Sequence, residues 1–373
     1  MLAIFPKKCL NSPVPRPSAP KTADFQYDLP HSQIAQHPAP ARDGGRLLVV
    51  NREERSYSHH QFLEFGNFLQ AGDVLVLNDS RVIPARLRGM KVGGSAAVEL
   101  LLTEPSTNNT WWAMLRPGKR FPVGTRIQLA DREGTETNLA AEILEKNEEG
   151  HGRLRFEGTD DVLAALERIG EMPLPPYIRR EAHGQSVEDF ARYQTVYAEP
   201  AGSIAAPTAG LHFTESMLAQ LADADVEVHR VTLHVGLGTF APVKVDDVSE
   251  HAMHTEKFSV PQSTADAVNT AKSEGRRVIA VGTTTVRVLE SCGLPMKSIQ
   301  DKTDIFIYPP REFAVVDGMV TNFHLPESTL LMLVSAFATP GELCGREWML
   351  EMYAEAVREK YRFFSFGDAM FIS

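Results

Sequence analysis

Two changes of texture, near Asn78 and Asp160, constrain this chain more than any single motif. From about Asn78 to Gly158, short apolar runs recur between turn residues: "ARLRGMKV", "AAVELLL", "TWWAMLRPG", "TRIQLA", "LAAEILEK" and "GRLRFEG". Short strands at this spacing predict a small antiparallel barrel or sandwich. After Asp160, helical and strand patterns alternate. "TESMLAQLADAD" has helical period and a Thr214 cap, and "VEVHRVTLHV" reads as a strand. "QSTADAVNTAKSEG" is a helix ended by Gly275, "RVIAVG" a buried strand, and "TTTVRVLESCG" the next helix. This order is the signature of a mainly parallel sheet covered by helices. Upstream, "RLLVV" (Arg46 to Val50) predicts a strand and the stretch His59 to Leu69 a helix. The expected organisation is an α/β domain over 23–77 and 159–373, an inserted small antiparallel β-barrel over 78–158, and a disordered tail over 1–22.

Composition narrows the function classes. The chain is 43% hydrophobic and 23% charged, as globular proteins are. "STLLMLVSAFA" is too short to cross a membrane and reads as a buried helix. A formal net charge of -10 argues against non-specific nucleic-acid binding. Cys9, Cys292 and Cys344 show neither zinc-ligand spacing nor a disulfide framework, which predicts a reducing cytoplasm. The G-x-G-x-x-G and Walker patterns are absent, which disfavours ordinary NAD or ATP binding.

Several stretches carry polar chemistry on small residues. "GSIAAPTAGLHFT" (Gly202 to Thr214) has almost no bulk and lets backbone pass close to something. "RVIAVGTTTVRVLES" sets Thr283, Thr284 and Thr285 between a strand and a helix, where they either cap the helix or hold an anion. "LHVGLGTFAPV" ends a strand in His234, Gly236 and Gly238, which makes either a tight turn or a site beyond a carboxyl end. "HAMHTEKF" brings His251, His254 and Glu256 with no obvious third ligand, so no metal is expected. "VTNFHLPESTLLMLVSAF" places Asn322 and His324 just before an apolar helix. "FFSFGDAMF" reads as a final strand whose Asp368 pairs with a cation or makes a turn. "PLPPYIRR" offers Tyr177, Arg179 and Arg180, either for stacking and phosphate pairing with single-stranded RNA or as an extended linker.

Taken in order, these stretches resemble the S-adenosylmethionine:tRNA ribosyltransferase-isomerase family of queuosine synthesis. The likeness covers nearly all of the chain after Asp24, and "AAPTAGLHFT" and "TNFHLPESTLLMLVSAF" are its most specific parts. It implies a barrel-like α/β main domain with an inserted β-barrel. It also implies the reaction: the ribosyl part of S-adenosylmethionine moves to 7-aminomethyl-7-deazaguanine at the tRNA wobble position. The ribose isomerises to an epoxycyclopentane, and adenine and methionine leave. S-adenosylmethionine is then a consumed substrate, and no cofactor is implied. The partner is the anticodon loop of tRNA with a GUN anticodon, in the cytoplasm, and the resemblance favours a monomer or weak dimer.

That chemistry needs two or three proton-transfer groups. His212, His234, His254, His324 and Asp79 are the candidates. Thr208, Ala209, Gly210, Gly236, Gly238, Thr283, Thr284, Thr285 and Asn322 are the substrate-binding candidates, with the methionine carboxylate at the Thr283–Thr285 turn. Arg179, Arg180 and Tyr177, with Arg116 and Lys119 of the "RPGKR" turn, are the candidates for RNA. The chain departs from the family pattern at Gly45 (usually Ser), at Pro310-Arg311 (commonly Gly-Tyr) and at Ala241 (often long and polar).

Overall fold

A computed structural model describes residues 3–4, 20–107, 109–180, 185–236, 238 and 243–373. The chain divides into two compact units. One holds Met1–Ser80, Thr195–Pro200 and Pro207–Ser373; the other holds Arg81–Gln194 and Ala201–Ala206.

The first unit is built on a ten-stranded mixed sheet. Its order is Ala3–Ile4, Ser56–Gln61, Arg46–Asn51, Ala369–Ile372, Gly318–Asn322, Val278–Val281, Val74–Asn78, Glu227–Leu233, Glu256–Val260 and Ile299–Thr303. The strands Gly318–Asn322, Val278–Val281, Val74–Asn78 and Glu227–Leu233 are parallel neighbours. Every residue of "VLVLN" and "VIAV" is buried, as interior parallel strands covered on both faces require. The helix Glu215–Asp223 starts where expected, with Thr214 Oγ1 accepting from Met217 N at 3.1 Å. The helix Gln262–Glu274 ends at Gly275 with φ 72, a left-handed cap. Leu75, Leu77, Ile279, Val320, Phe213 and Phe371 meet in the core between sheet and helices.

The parallel strands bring their carboxyl ends to one edge of this sheet: Asn322, Val281, Asn78 and Leu233. The antiparallel neighbours add to the same edge. Asn322 pairs with Ala369 and Ala369 with Leu47, which brings Asp368 and Arg46 there. Leu233 pairs with Phe258, which brings Glu256 there.

The second unit contains a closed barrel ordered Glu136–Lys146, Gly152–Glu157, Thr110–Arg116, Ala97–Pro105, Arg86–Lys91 and Arg126–Ala130. All of its ladders are antiparallel. Burial alternates along the strands, so Leu100, Leu102, Ala113, Leu115, Ile127 and Leu129 fill the interior. This unit takes in more chain than 78–158. Glu171 explains part of the difference: its carbonyl accepts from Arg86 N at 3.1 Å and its carboxylate from Arg88 Nε at 2.8 Å. Ser203 O accepts from Ile83 N at 2.9 Å and brings in the second segment.

Three local expectations change. The stretch from His59 to Leu69 is not an α-helix: Ser56–Gln61 pairs with Arg46–Asn51 as a hairpin, and Phe62–Phe68 is a 3-10 turn. Phe62 and Phe65 are spaced three apart, which a 3-10 turn buries as well as an α-helix does. The final strand is only Ala369–Ile372; before it Phe364 has φ 70, and Asp368 N bonds back to Arg362 O at 2.8 Å. The tail expected over 1–22 lies mostly outside the described residues, yet Ala3–Ile4 pairs with Tyr57 and Ser56.

Candidate active site

The edge is organised around Asn78, the last residue of an otherwise apolar strand and fully buried. Its Oδ1 accepts from Leu233 N at 3.0 Å and from Ser80 N at 3.1 Å. Its Nδ2 donates to Leu233 O and to Thr284 Oγ1, both at 3.1 Å. One amide therefore links two strand ends and the start of a helix, with all four of its bonding positions used. Beside it, Ser80 Oγ lies 2.7 Å from His234 Nδ1. Thr232 Oγ1 donates to Asp79 Oδ1 at 2.7 Å.

Asp79 and His234 are pushed in opposite senses. Burial raises the Asp79 carboxyl above its usual range, against the hydrogen bond from Thr232. Burial, helped by Lys257, lowers His234, favouring the neutral ring. Burial thus moves a carboxyl up and an imidazole down at the same sheet edge, and opposed shifts of this kind are what divides acid from base work. His234 is half-buried, and among the described residues its Nε2 has no hydrogen-bond partner.

A second network lies at Asn322. Thr208 Oγ1 donates to Asn322 Oδ1 at 2.8 Å, and Asn322 Nδ2 reaches His212 Nε2 at 3.3 Å. An amide NH2 only donates, so Nε2 accepts and the ring proton sits on Nδ1. Burial pushes His212 down to about 4, and its ring stacks on Phe62 with centroids 4.7 Å apart. Asp368 closes this side, accepting from Arg46 N at 3.1 Å and Arg362 Nη2 at 3.0 Å. Both sequence alternatives for Asp368 thus hold, a turn and a cation partner. A Cβ on Gly45 would lie 3.2 Å from His212 Nδ1.

His324 is held on both ring nitrogens, by Thr321 Oγ1 at 3.2 Å and Tyr353 OH at 3.2 Å. Burial pushes it down to about 3. Burial favours the neutral rings of His212 and His324, which both make the hydrogen bonds above, whereas among the described residues His234 keeps an open Nε2. His254 is exposed, and Gly238 sits against it: a Cβ on Gly238 would fall 2.5 Å from His254 Cβ. Gly236 N donates to Glu256 Oε1 at 2.9 Å, and Glu256 is ion-paired with buried Arg287.

The three threonines differ. Thr285 Oγ1 donates to Val281 O, the last residue of the preceding strand, at 2.7 Å, so its hydroxyl is taken. Thr284 accepts from Asn78. Gly282, at φ 89, turns the chain from strand to helix without a side-chain cap, in a conformation glycine adopts without strain. The small stretch Thr208–His212 is a 3-10 turn in which Ala209, Gly210 and His212 are buried. Part of its lack of bulk has a cause within the protein. A Cβ on Gly210 would lie 2.1 Å from the Tyr197 hydroxyl and 2.9 Å from Thr195 Cγ2.

The RNA candidates lie in the other unit. Arg116 and Lys119 are exposed at the end of a barrel strand and in the following turn. Arg179 is exposed and Tyr177 half-buried. Arg180 is committed: its Nε and Nη2 reach Asp189 at 3.1 Å and 2.8 Å. Burial works against the Asp189 charge, but the bonds from Arg180 and Ser186 outweigh it and hold the carboxyl below its usual range.

Sequence reading passed over Asn78, Ser80, Thr232 and Arg287. The signal for the first two was present, because an all-apolar strand running into "NDS" ends at the edge where ligands sit in α/β sheets. Ala241 lies outside the described residues. Among the described residues, no three His, Cys, Asp or Glu gather as a metal site, and no helix is long and apolar enough to cross a membrane. A cleft of about 870 Å³ opens at the opposite edge of the first unit's sheet, but its Lys272 is spent on Asp317 at 2.8 Å.

Fold and edge together define an α/β protein whose buried polar side chains, Asp79 and His234 among them, gather at the carboxyl ends of its parallel strands. The family model described as "Queuosine biosynthesis protein" matches residues 22–372. The S-adenosylmethionine:tRNA ribosyltransferase-isomerase of Acetivibrio thermocellus is 48% identical over 355 residues, covering 94% of this chain and 99% of that protein. The protein of the same name from Desulfitobacterium hafniense is also 48% identical, over 94% of this chain and 99% of its own length. A crystal structure of an S-adenosylmethionine tRNA ribosyltransferase from Thermotoga maritima is 37% identical, with a TM-score of 0.52, covering 94% of this chain and 100% of that one. The chain belongs to the queuosine biosynthesis protein family.

Proposed function

We propose that this chain transfers and isomerises the ribosyl moiety of S-adenosylmethionine onto 7-aminomethyl-7-deazaguanine at the tRNA wobble position. Epoxyqueuosine-tRNA forms, and adenine and methionine are released. The relatives named for this activity match nearly full length. The observation that carries the reading to residues is the opposed pair of Asp79 and His234 at one sheet edge.

In this reading the neutral His234 takes a proton from substrate, and the electron pair stays on the substrate atom. Asp79, whose carboxyl burial raises above its usual range, gives a proton to the departing adenine. Thr208, Asn322 and Thr284 lie against substrate, and the N–H groups opening the helix Thr283–Cys292 suit the methionine carboxylate. Arg116, Lys119 and Arg179, all exposed, approach anticodon-loop phosphates, and half-buried Tyr177 stacks on a base. The acceptor tRNAs carry GUN anticodons, S-adenosylmethionine is consumed rather than retained, and the enzyme works in the cytoplasm as a monomer.

The test is mass spectrometry of an anticodon stem-loop carrying 7-aminomethyl-7-deazaguanine, incubated with the protein and S-adenosylmethionine. Epoxyqueuosine and one adenine per turnover are expected. Release of S-adenosylhomocysteine, or binding without either product, refutes the reading.

A further inference from the structure

We propose that Ser80 and Asn78 are positioning residues for His234, and that Nε2 is the ring atom that exchanges a proton with substrate. This rests on the reading of the chain as the transferase-isomerase and names the device that makes His234 usable in it.

The geometry assigns the two ring nitrogens different tasks. Nδ1 is occupied by Ser80 Oγ at 2.7 Å, and Nε2 has no partner among the described residues. A serine this close to a histidine invites a nucleophilic reading, but Ser80 is fully buried while His234 is only half-buried. A nucleophile must reach its target, whereas a positioning hydroxyl need only reach the ring. The contact is therefore a support for the imidazole. When Nε2 takes a proton, Nδ1–H of the imidazolium donates to Ser80 Oγ, and the pair of electrons that held the proton stays on the substrate. The ring returns its proton to water after product leaves.

Asn78 fixes both partners of this contact. Its Oδ1 holds Ser80 N at 3.1 Å, and its amide holds both backbone groups of Leu233, the residue before His234. From the other side, His234 N donates to Lys257 O at 3.1 Å. The ring is thus registered from two strands and one loop. The charged groups on the surrounding elements are Lys257 and Glu256 on the neighbouring strand and Asp79 beside Ser80.

The test compares full-length wild type with Ser80→Ala, Ser80→Thr and His234→Gln. Turnover on the modified stem-loop is followed from acid to neutral pH, and the His234 tautomer is read from 15N shifts of histidine-labelled protein. Ser80→Ala is expected to lower kcat by about 10²-fold, the lower end of what a positioned proton-transfer group contributes. Its KM for S-adenosylmethionine stays unchanged, its kinetic pKa moves, and the Nδ1 signal changes. Ser80→Thr, which keeps the hydroxyl, recovers most of the rate, and His234→Gln is inactive. An unchanged rate, pH profile and tautomer in Ser80→Ala, with His234→Gln inactive, overturns the positioning role while the transferase reading stands. Full turnover in both variants overturns it as well. If wild type makes no epoxyqueuosine, the transferase reading fails, and an unperturbed tautomer in Ser80→Ala then overturns the support independently.

Discussion

Replacing Arg287 by Met tests how the loop after His234 is held. Arg287 and Glu256 side chains are each 4% exposed, and they face each other as an ion pair. Glu256 also accepts from Gly236 N at 2.9 Å, so the pair anchors the turn that follows the Glu227–Leu233 strand. Removing one partner of a buried pair destabilises by about 3–5 kcal/mol, because the other charge stays in a poorly solvated place. Here one correction applies. Arg287 Nη2 is buried without a partner, and an orphaned polar group of that kind already costs about 1–3 kcal/mol. Met removes that penalty, so the net loss for Arg287→Met falls to roughly 2 kcal/mol, the middle of the difference between the two ranges. The double variant with Glu256→Gln leaves no buried charge and is expected to recover about 1–2 kcal/mol relative to additivity. Urea unfolding of wild type, both single variants and the double variant, followed by circular dichroism, gives the cycle. Stability losses that add within about 0.5 kcal/mol would show that the two groups are not energetically coupled and would sink the reasoning.

Burial holds His212 at about 4 and His324 at about 3, below the ordinary value of 6.5. The unfolded chain therefore takes up these protons first, so both sites stabilise fully above about pH 6.5 and lose that contribution as pH falls toward 4. Unfolding free energy should fall by up to about 2.7 kcal/mol per pH unit across that window, and a flat profile between pH 6.5 and 5 refutes the assignment. Gly210→Ala forces a Cβ onto the Tyr197 hydroxyl and should destabilise by about 1–3 kcal/mol; adding Tyr197→Phe, which deletes a hydroxyl without a partner, should restore part of it. A double variant no more stable than Gly210→Ala would show that the clash lies elsewhere. Neutralising Arg116 or Lys119 should reduce the salt slope of stem-loop binding by about 1 each, whereas Arg180→Ala should act through thermal stability, because Arg180 is bonded to buried Asp189. An Arg180→Ala protein with wild-type melting and a reduced salt slope would reverse that distinction.

The α/β alternation and the barrel were legible because they rest on period: "VLVLN" and "VIAV" are apolar throughout, and the barrel strands alternate. Caps were legible where one residue type does one job, as at Thr214 and Gly275. The stretch from His59 to Leu69 was misjudged because an i, i+3 phenylalanine pair satisfies both a 3-10 turn and an α-helix, and only the strand pairing of Ser56–Gln61 separates them. At the site, sequence named His234 and Asp79 but not their supports. Asn78 meets Leu233 and Thr284 across more than a hundred and fifty residues of chain, and no local pattern encodes such a meeting. The lack of bulk in Gly202 to Thr214 signalled a close approach of backbone to something, but not that at Gly210 one such neighbour is Tyr197.

Among the described residues, the Arg46–Asn51 and Ser56–Gln61 hairpin is joined to the parallel strands of the sheet through Ala369–Ile372, the last of the described strands. On the ribosome, the hairpin emerges and then waits for more than three hundred further residues before it has a strand to join. Through that interval its apolar residues Leu47 and Val49 and one backbone edge stay open, which gives chaperones a reason to attend this chain and makes interrupted synthesis hazardous. The same order makes the carboxyl terminus a poor place for trimming. Proteolysis after the last helix would remove a central strand together with Asp368, splitting the sheet in two and taking one wall of the site with it.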